Sequence, residues 1–150
     1  MPGGSQPVFR EMTRAECDAL LARHHVGRIA YTFHDRVDIE PINYVYDDGW
    51  LYGRTAPGTK LTTIVHHRWV AFEVDEVTGL FDWRSVVVHG ALYLLSEEGP
   101  GGGAEVYEHA VQLIRSLSPE ALTATDPVGF RRILFRIHAS EVTGREARLG

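Results

Sequence analysis

Short runs of alternating apolar and polar residues recur along this chain, and they limit its fold more than any other feature. Six such runs lie at residues 28–33, 38–46, 50–52, 69–75, 83–95 and 133–139. Successive side chains of a β-strand point to opposite faces of a sheet, so a period of two predicts strands with one buried face. The runs do not alternate regularly with helical segments. The sequence therefore predicts a mainly β (α+β) fold, a six-stranded antiparallel barrel whose last strand closes against the first.

Three local signals predict how these strands turn. Asp47-Asp48-Gly49 predicts a tight hairpin between the second and third strands, because glycine adopts a positive φ at little cost. Pro41 has no backbone N–H, so its strand should be bulged or lie at a sheet edge there. Gly90 predicts a bend in the long fifth strand.

Helical spacing appears in three segments. Thr13 and Glu16 have the spacing of a capping box, so the first helix should begin there, bury Cys17, and end at Gly27. Residues 61–66 and 104–117 are predicted to form a short and a longer helix. Residues 1–12 contain several Gly and Pro residues and predict an arm that precedes a single domain at 13–150.

Charge and cysteine content narrow the function. The chain has 15 Lys+Arg against 20 Asp+Glu, a net charge of −5, which argues against binding along a nucleic-acid backbone. One cysteine cannot form an internal disulfide, so a reducing cytoplasm is expected. No apolar run approaches the ~18 residues of a membrane span, so no membrane partner is expected. Glu105 and His109 have the spacing of a surface ion pair, and no histidine pair has metal-ligand spacing.

The loop at residues 54–60 contains the most informative polar group. Arg54, Thr55, Thr59 and Lys60, the only lysine, surround a Gly-Thr step that opens a predicted helix. Free N–H groups at a helix start attract phosphate, so the loop is either a phosphate cradle or an ordinary turn with Thr59 as N-cap. It lacks the full P-loop pattern, so chemistry on nucleoside triphosphates is not supported.

Two further segments offer binding groups. A strand interrupted at Pro41 exposes backbone groups of Pro41, Ile42, Asn43 and Tyr44 that could bind the edge of a planar heterocycle; the alternative is a plain edge strand. Trp83, Arg84 and Ser85 place a ring, a cation and a hydroxyl in succession, or else a core ring beside a surface arginine.

Taken in order, these motifs resemble the pyridoxamine 5′-phosphate oxidase-related, FMN-binding split-barrel family. The resemblance runs from about residue 10 to 146 and includes Thr143-Gly144-Arg145 near the end. It implies a split barrel that forms a homodimer, with two FMN molecules at the subunit interface.

The resemblance also implies roles for individual residues. Arg54, Thr55, Thr59 and Lys60 would hold the FMN phosphate, with Arg28 a further candidate. The strand at Pro41, Ile42, Asn43 and Tyr44 would line the isoalloxazine edge, and Trp83, Arg84 and Ser85 would approach from the barrel wall or the second subunit. Tyr44 or Arg84 could orient a substrate, while no catalytic acid or base is identified.

Departures from the family pattern leave the reaction open. The chain lacks the C-terminal Trp and Arg/His set of true pyridoxamine phosphate oxidases, so oxidation of vitamin B6 is not expected. The related nitroimidazole-reductase-like branch commonly has a His shortly before the phosphate loop, where this chain has Gly53 and Arg54. Nitro-group reduction therefore stays among the open reactions, without its marker. The prediction is a flavin-dependent oxidoreductase of an unidentified small molecule. The alternatives are a deazaflavin-dependent reductase and a non-enzymatic flavin or haem binder.

Overall fold

The computed structural model describes residues 6–58, 68–98 and 103–150. Within these ranges the chain forms nine strands and two helices. Their bounds are β1 Pro7–Glu11, α1 Arg14–Arg23, β2 Val26–Phe33, β3 Arg36–Asn43, β4 Val45–Asp47, β5 Trp50–Thr55, β6 Trp69–Gly79, β7 Asp82–Leu94, α2 Gly103–Leu117, β8 Ile133–His138 and β9 Glu141–Leu149. The short helix predicted at 61–66 lies outside the described residues.

All strand pairs are antiparallel, which confirms the predicted mainly β fold class. The strands follow the order β3-β2-β6-β7-β8-β5-β4, with β9 paired to both β7 and β1. The count of six strands was too low, and the last predicted strand does not close on the first. That strand, β8, pairs with β5 and with the end of β7 instead of β2.

Strand β7 changes partners along its length and so splits the barrel. Residues 83–89 pair with β9, whereas residues 92–94 pair with β8. Gly90 lies between the two stretches, as the predicted bend requires. A Cβ atom built on Gly90 would lie 1.7 Å from the carbonyl oxygen of His138, so only glycine fits where the two sheets meet.

The predicted N-terminal arm contains strand β1, which pairs with β9. Its Arg10 joins the sheet to α1 through bonds of 2.8 and 2.7 Å to the carboxylate of Glu16. Arg10 also lies 3.2 Å from Glu146, a carboxylate that is almost fully buried on β9. Residues beyond the expected domain boundary are thus part of the folded unit.

Helix α1 begins as predicted but ends earlier. Glu16 donates its backbone N–H to Thr13 Oγ1 at 3.2 Å and accepts from the Thr13 N–H at 2.9 Å, which confirms the capping box. The helix ends at Arg23, so the prediction that Gly27 stops it was wrong. Gly27 instead lies in β2, where a Cβ would be 2.3 Å from the ring of Phe72.

The predicted hairpin joins β4 to β5. Asp48 and Gly49 have φ values of 46° and 81°, as a tight hairpin turn of inverted hand requires. Strand β3 pairs only with β2 in the described part of the chain, so Pro41 lies at a sheet edge as expected. The ladder breaks at Tyr44, between β3 and β4.

Two apolar cores stabilise the described part of the fold. The larger core lies between the two sheets and includes Leu20 and Leu21 of α1 and the fully buried Cys17, which confirms its predicted burial. The smaller core packs Ala110, Val111 and Ile114 of α2 against β5 and β8, as the spacing of the apolar residues in 104–117 predicts. No helix in the described ranges is long and apolar enough to cross a membrane.

Candidate functional site

A cavity of about 310 Å³ opens where β3, β4 and β5 meet the end of α2. Its floor is formed by strand residues of both sheets, and its roof by α2 and the segment that follows it. The lining residues are His25, Asn43, Tyr44, Val45, Tyr52, Gly53, Arg54, Ile114, Leu117, Ser118, Val128 and Arg131. A partly open cavity with a mainly apolar wall and a few polar groups is typical of a small-molecule site.

Tyr44 anchors the floor of the cavity. Its hydroxyl donates to the carbonyl of Leu21 at 2.6 Å, and its ring packs edge-on against Phe72 in the larger core. Burial raises the pKa of the Tyr44 hydroxyl above its usual range. The side chain is therefore committed to the core, which corrects the suggestion that it orients a substrate.

The backbone beside Tyr44 is held by His25. The carbonyl of His25 accepts the Tyr44 N–H at 3.0 Å and the Asn43 side-chain amide at 3.4 Å. Pro41 is exposed, and Ile42 packs against the larger core. The four residues predicted to line a heterocycle thus point in different directions, and only Asn43 and Tyr44 line the cavity.

Arg54 enters the cavity wall from β5 and is tied down from the opposite side. Its Nη1 and Nη2 atoms donate to the two carboxylate oxygens of Asp126 at 2.5 and 3.2 Å. The side chains are only 10% and 1% exposed. Next to Arg54, a Cβ on Gly53 would lie 2.6 Å from the ring of Phe135, so the backbone is tightly packed here.

Both carboxylate oxygens of Asp126 also accept hydrogen bonds from the segment around it. Beyond Arg54, it accepts the backbone N–H groups of Leu122 at 2.8 Å and Val128 at 3.0 Å. The Arg54 guanidinium, with these N–H donors, holds the pKa of the Asp126 carboxyl well below its usual range. Asp126 was not predicted, although an Asp before Pro127 is a turn signal.

Arg131 is a second cation of the cavity that sequence reasoning missed. It is half-buried, and its guanidinium carbon lies 5.6 Å from the ring centroid of Phe130. Among the residues the structure describes, no carboxylate pairs with it. Nothing in its local sequence distinguishes Arg131 from the exposed Arg132, because what sets it apart is the fold around it.

The remaining members of the predicted phosphate group are only partly described. Thr55 is the last residue of β5 and is half-buried beside Arg54. Thr59 and Lys60 lie outside the described residues. Their assignment to a phosphate stays a prediction.

Trp83, Arg84 and Ser85 lie at the start of β7, at the opposite end of that strand from the residues that pair with β8. Arg84 donates to Glu146 at 2.9 Å, on the face of the buried Val86. Trp83 and Ser85 point to the other face of the sheet, so the three side chains do not converge as the sequence suggested. Within one chain they do not meet Arg54.

Arg28 lies beside Ser85's face of the sheet, not at the cavity. It donates to Asp75 at 2.9 Å and lies 3.4 Å from Glu73, which accepts the Ser85 hydroxyl at 3.0 Å. Burial, and then the neighbouring Asp75, raise the pKa of Glu73 to about 7. Arg28 is thus occupied by two carboxylates on its own chain.

The described ranges contain no group of three or more His, Cys, Asp or Glu side chains that could hold a metal ion. The ion pair predicted for His109 has a different partner. Its Nε2 lies 2.9 Å from Asp47 of β4, and its ring meets Tyr52 edge-on. His109 therefore links helix α2 to the β4–β5 hairpin and does not pair with Glu105 of the same helix.

A known family matches almost the whole sequence. The sequence pattern of the family described as pyridoxamine 5′-phosphate oxidase covers residues 13–146. The chain belongs to this family. An uncharacterized protein of Rhizobium meliloti is 32% identical over 81 residues. The match covers 54% of this chain and 54% of that relative, so the chain spans about half of the relative's length.

Solved structures share the architecture of this pyridoxamine 5′-phosphate oxidase family member. A FAD-binding protein from Mesorhizobium loti is 29% identical with a TM-score of 0.74, covering 95% of this chain and 99% of that one. A FAD-binding protein from Mycobacterium smegmatis is 26% identical with a TM-score of 0.65, covering 92% and 98%. The predicted split-barrel fold is confirmed.

Proposed function

We propose that this protein binds FMN between two copies of the chain and transfers hydride or electrons to a small molecule. The observation that carries the proposal is the cavity beside Arg54, in a chain of this family. Bound flavin supplies the redox chemistry, while the chain supplies binding, orientation and exclusion of water. The binding of FAD by the Mesorhizobium loti protein supports a flavin and makes FAD the competing cofactor.

The donors of the cavity wall fit such a cofactor. A phosphate needs charge-assisted donors, and a guanidinium has five N–H groups, of which the two bonds to Asp126 use two. The others remain for a ligand. Asn43 offers an exposed amide, and the outer edge of β3 hydrogen-bonds to no neighbouring strand in the described ranges. A flat ring with polar edges suits this strand edge.

A second copy would complete the site. Arg54 lies on β5, whereas Trp83 and Ser85 lie on the outer face of the sheet at the start of β7, and no contact joins the two groups within the described chain. In our proposal a flavin takes the two groups from different chains. The homodimer proposed here would therefore place Trp83 and Ser85 of one protomer over the cavity of the other.

The outer face of the sheet has the composition of an interface. Among the side chains that strand alternation puts there, five apolar ones are at least half exposed: Val26, Val37, Ile39, Trp69 and Val77. Val37 and Trp69 line the same shallow depression, and exposed apolar patches mark contact sites. We name these five residues the outer apolar face and propose that the second copy covers it.

The deciding experiment is a visible absorbance spectrum of the purified protein with mass spectrometry of the ligand released on denaturation. FMN is the expected ligand. Release of FAD would support a flavin cofactor but contradict its assignment as FMN. Release of a deazaflavin or haem would contradict a flavin cofactor altogether. A colourless protein that rejects added FMN and FAD would overturn the proposed function.

A further inference from the structure

The cavity has one wall that the flavin proposal does not use. Asn43, Tyr44 and Arg54 form the side assigned to the cofactor, while Ile114, Leu117, Ser118, Val128 and Arg131 form the opposite side, on α2 and the segment after it. A ligand between the two walls would lie against the flavin on one side and Arg131 on the other. This geometry is that of a substrate subsite.

Arg131 is the arginine of the cavity lining that has no carboxylate partner among the described residues. Arg54 is neutralised by Asp126, whose oxygens are also bonded to two backbone N–H groups. The lining residues that the structure describes include no carboxylate. Arg131 therefore faces an apolar space without a counter-ion among the described residues, and it lies against the ring of Phe130 instead of an acid.

We propose that this wall binds the organic anion on which the flavin acts, a small molecule with an apolar body and a carboxylate held by Arg131. The proposal deepens the proposed function and rests on it for the role of substrate. Ile114, Leu117 and Val128 contact the apolar body, and Ser118 adds a second polar side chain to this wall. We expect selectivity for a carboxylate, because an arginine without a counter-ion forms charge-assisted hydrogen bonds with an anion. A neutral ligand gains only the apolar contacts.

Benzoate and its neutral isostere benzamide test this on the protein as purified, with Kd measured by calorimetry and by the change in the visible flavin spectrum. Benzoate should bind more tightly than benzamide. Arg131→Gln should weaken benzoate binding about tenfold or more, the effect of losing one charge-assisted hydrogen bond. Arg131→Lys should restore part of the affinity, and benzamide binding should not change.

Arg132→Gln is the matched control, since it removes the same charge from the neighbouring exposed residue, which does not line the cavity. Equal benzoate affinity in the Arg131 and Arg132 variants would overturn the proposal, as would equal binding of benzoate and benzamide. Loss of bound flavin in Arg131→Gln alone, with benzoate competing against flavin, would assign Arg131 to the cofactor and overturn it too.

Flavin content measured on each sample separates this proposal from the proposed function. If the protein retains flavin but benzoate binding does not depend on Arg131, the substrate subsite is contradicted and the proposed flavoprotein stands. If benzoate binding depends on Arg131 but the protein takes up no flavin, the proposed flavoprotein and the substrate role of the site are both contradicted.

Discussion

Arg54 has a fixed orientation because both terminal nitrogens of its guanidinium donate to one buried carboxylate. That carboxylate belongs to Asp126, 72 residues further along the chain. Asp126 is itself held by two backbone N–H groups of its turn. A cation set in this way can meet a ligand without first losing the side-chain entropy of a free arginine.

Stability in acid should depend on Asp126. Its folded pKa is lowered, so the carboxylate stabilises the fold above the unfolded pKa of about 4, and this contribution is lost as the pH falls below that value. Asp126→Asn should lower the melting temperature at pH 7 and flatten its decline in acid. The exposed Asp35→Asn should do neither, and equal curves for the two variants would contradict the buried role of Asp126.

Lys60 is expected to hold the cofactor phosphate. Lys60→Ala should weaken flavin binding about tenfold to a hundredfold, as expected for one charged hydrogen bond of about 1.5–3 kcal/mol. The fraction of protein that retains flavin through a desalting column measures it. Arg36→Ala, which removes an exposed cation from the β2–β3 turn, is the control, and unchanged retention in both variants would remove Lys60 from the phosphate site.

Glu73 should give the opposite pH dependence to Asp126. Its folded pKa is raised to about 7, so the folded state binds the proton more tightly than the unfolded state. The free energy of unfolding should fall as the pH rises from about 4.5 to 7. Glu73→Gln should remove this decline, measured by urea unfolding at several pH values. A decline that persists in Glu73→Gln but vanishes in the exposed Glu105→Gln would assign it elsewhere.

Single-residue patterns identified part of the site. Arg54 was predicted from its place beside Thr55 and close to Lys60 in the sequence, although the structure puts Arg54 and Thr55 at the end of β5. Asp126 and Arg131 reach the cavity only through packing of the segment after α2, and no local pattern encodes a contact between distant segments. The strand interruption was predicted at Pro41, whereas the ladder breaks at Tyr44, and the direction of the Tyr44 ring depends on the space beside Phe72.

Strands β1 and β9 show what alternation fails to detect. The buried positions of β9 are Gly144, Glu146 and Ala147, which are small or charged rather than large and apolar. Glu146 can be buried because Arg10 and Arg84 bond to it from both neighbouring strands. The alternating runs of β2, β6 and β8 contain large apolar residues on one face, and those strands were predicted.

Gly90 should tolerate no side chain. Gly90→Ala would place a methyl group against the carbonyl of His138, and overpacking of this kind costs about 1–3 kcal/mol or more. We expect a lower melting temperature or insoluble protein. Gly79→Ala, where the nearest atom is 3.7 Å away, should behave like the parent. A Gly90→Ala protein as stable as Gly79→Ala would show that the sheets can separate at this point.

At the scale of the whole molecule, assembly and cofactor binding are coupled in our proposal. Each flavin needs the cavity of one protomer and the outer apolar face of its partner. A defect in either surface should therefore reduce flavin content, but only a defect in the outer face should change the oligomeric state.

Val77 tests this coupling. It is 66% exposed on the outer apolar face, so Val77→Glu should give a monomer with reduced flavin in light-scattering chromatography. Tyr93→Glu alters an exposed residue in the part of β7 that pairs with β8 and should remain a dimer with flavin. A Val77→Glu dimer that keeps its flavin would place the subunit contact elsewhere.

The contact between Gly90 and His138 sets the angle between the two sheets by main chain against main chain. Side chains on either side can change in size and chemistry without altering this contact, provided that residue 90 stays glycine. A sheet angle set by backbone contact constrains few side chains. The Mesorhizobium loti protein, which differs from this one at about seven positions in ten, superimposes with a TM-score of 0.74.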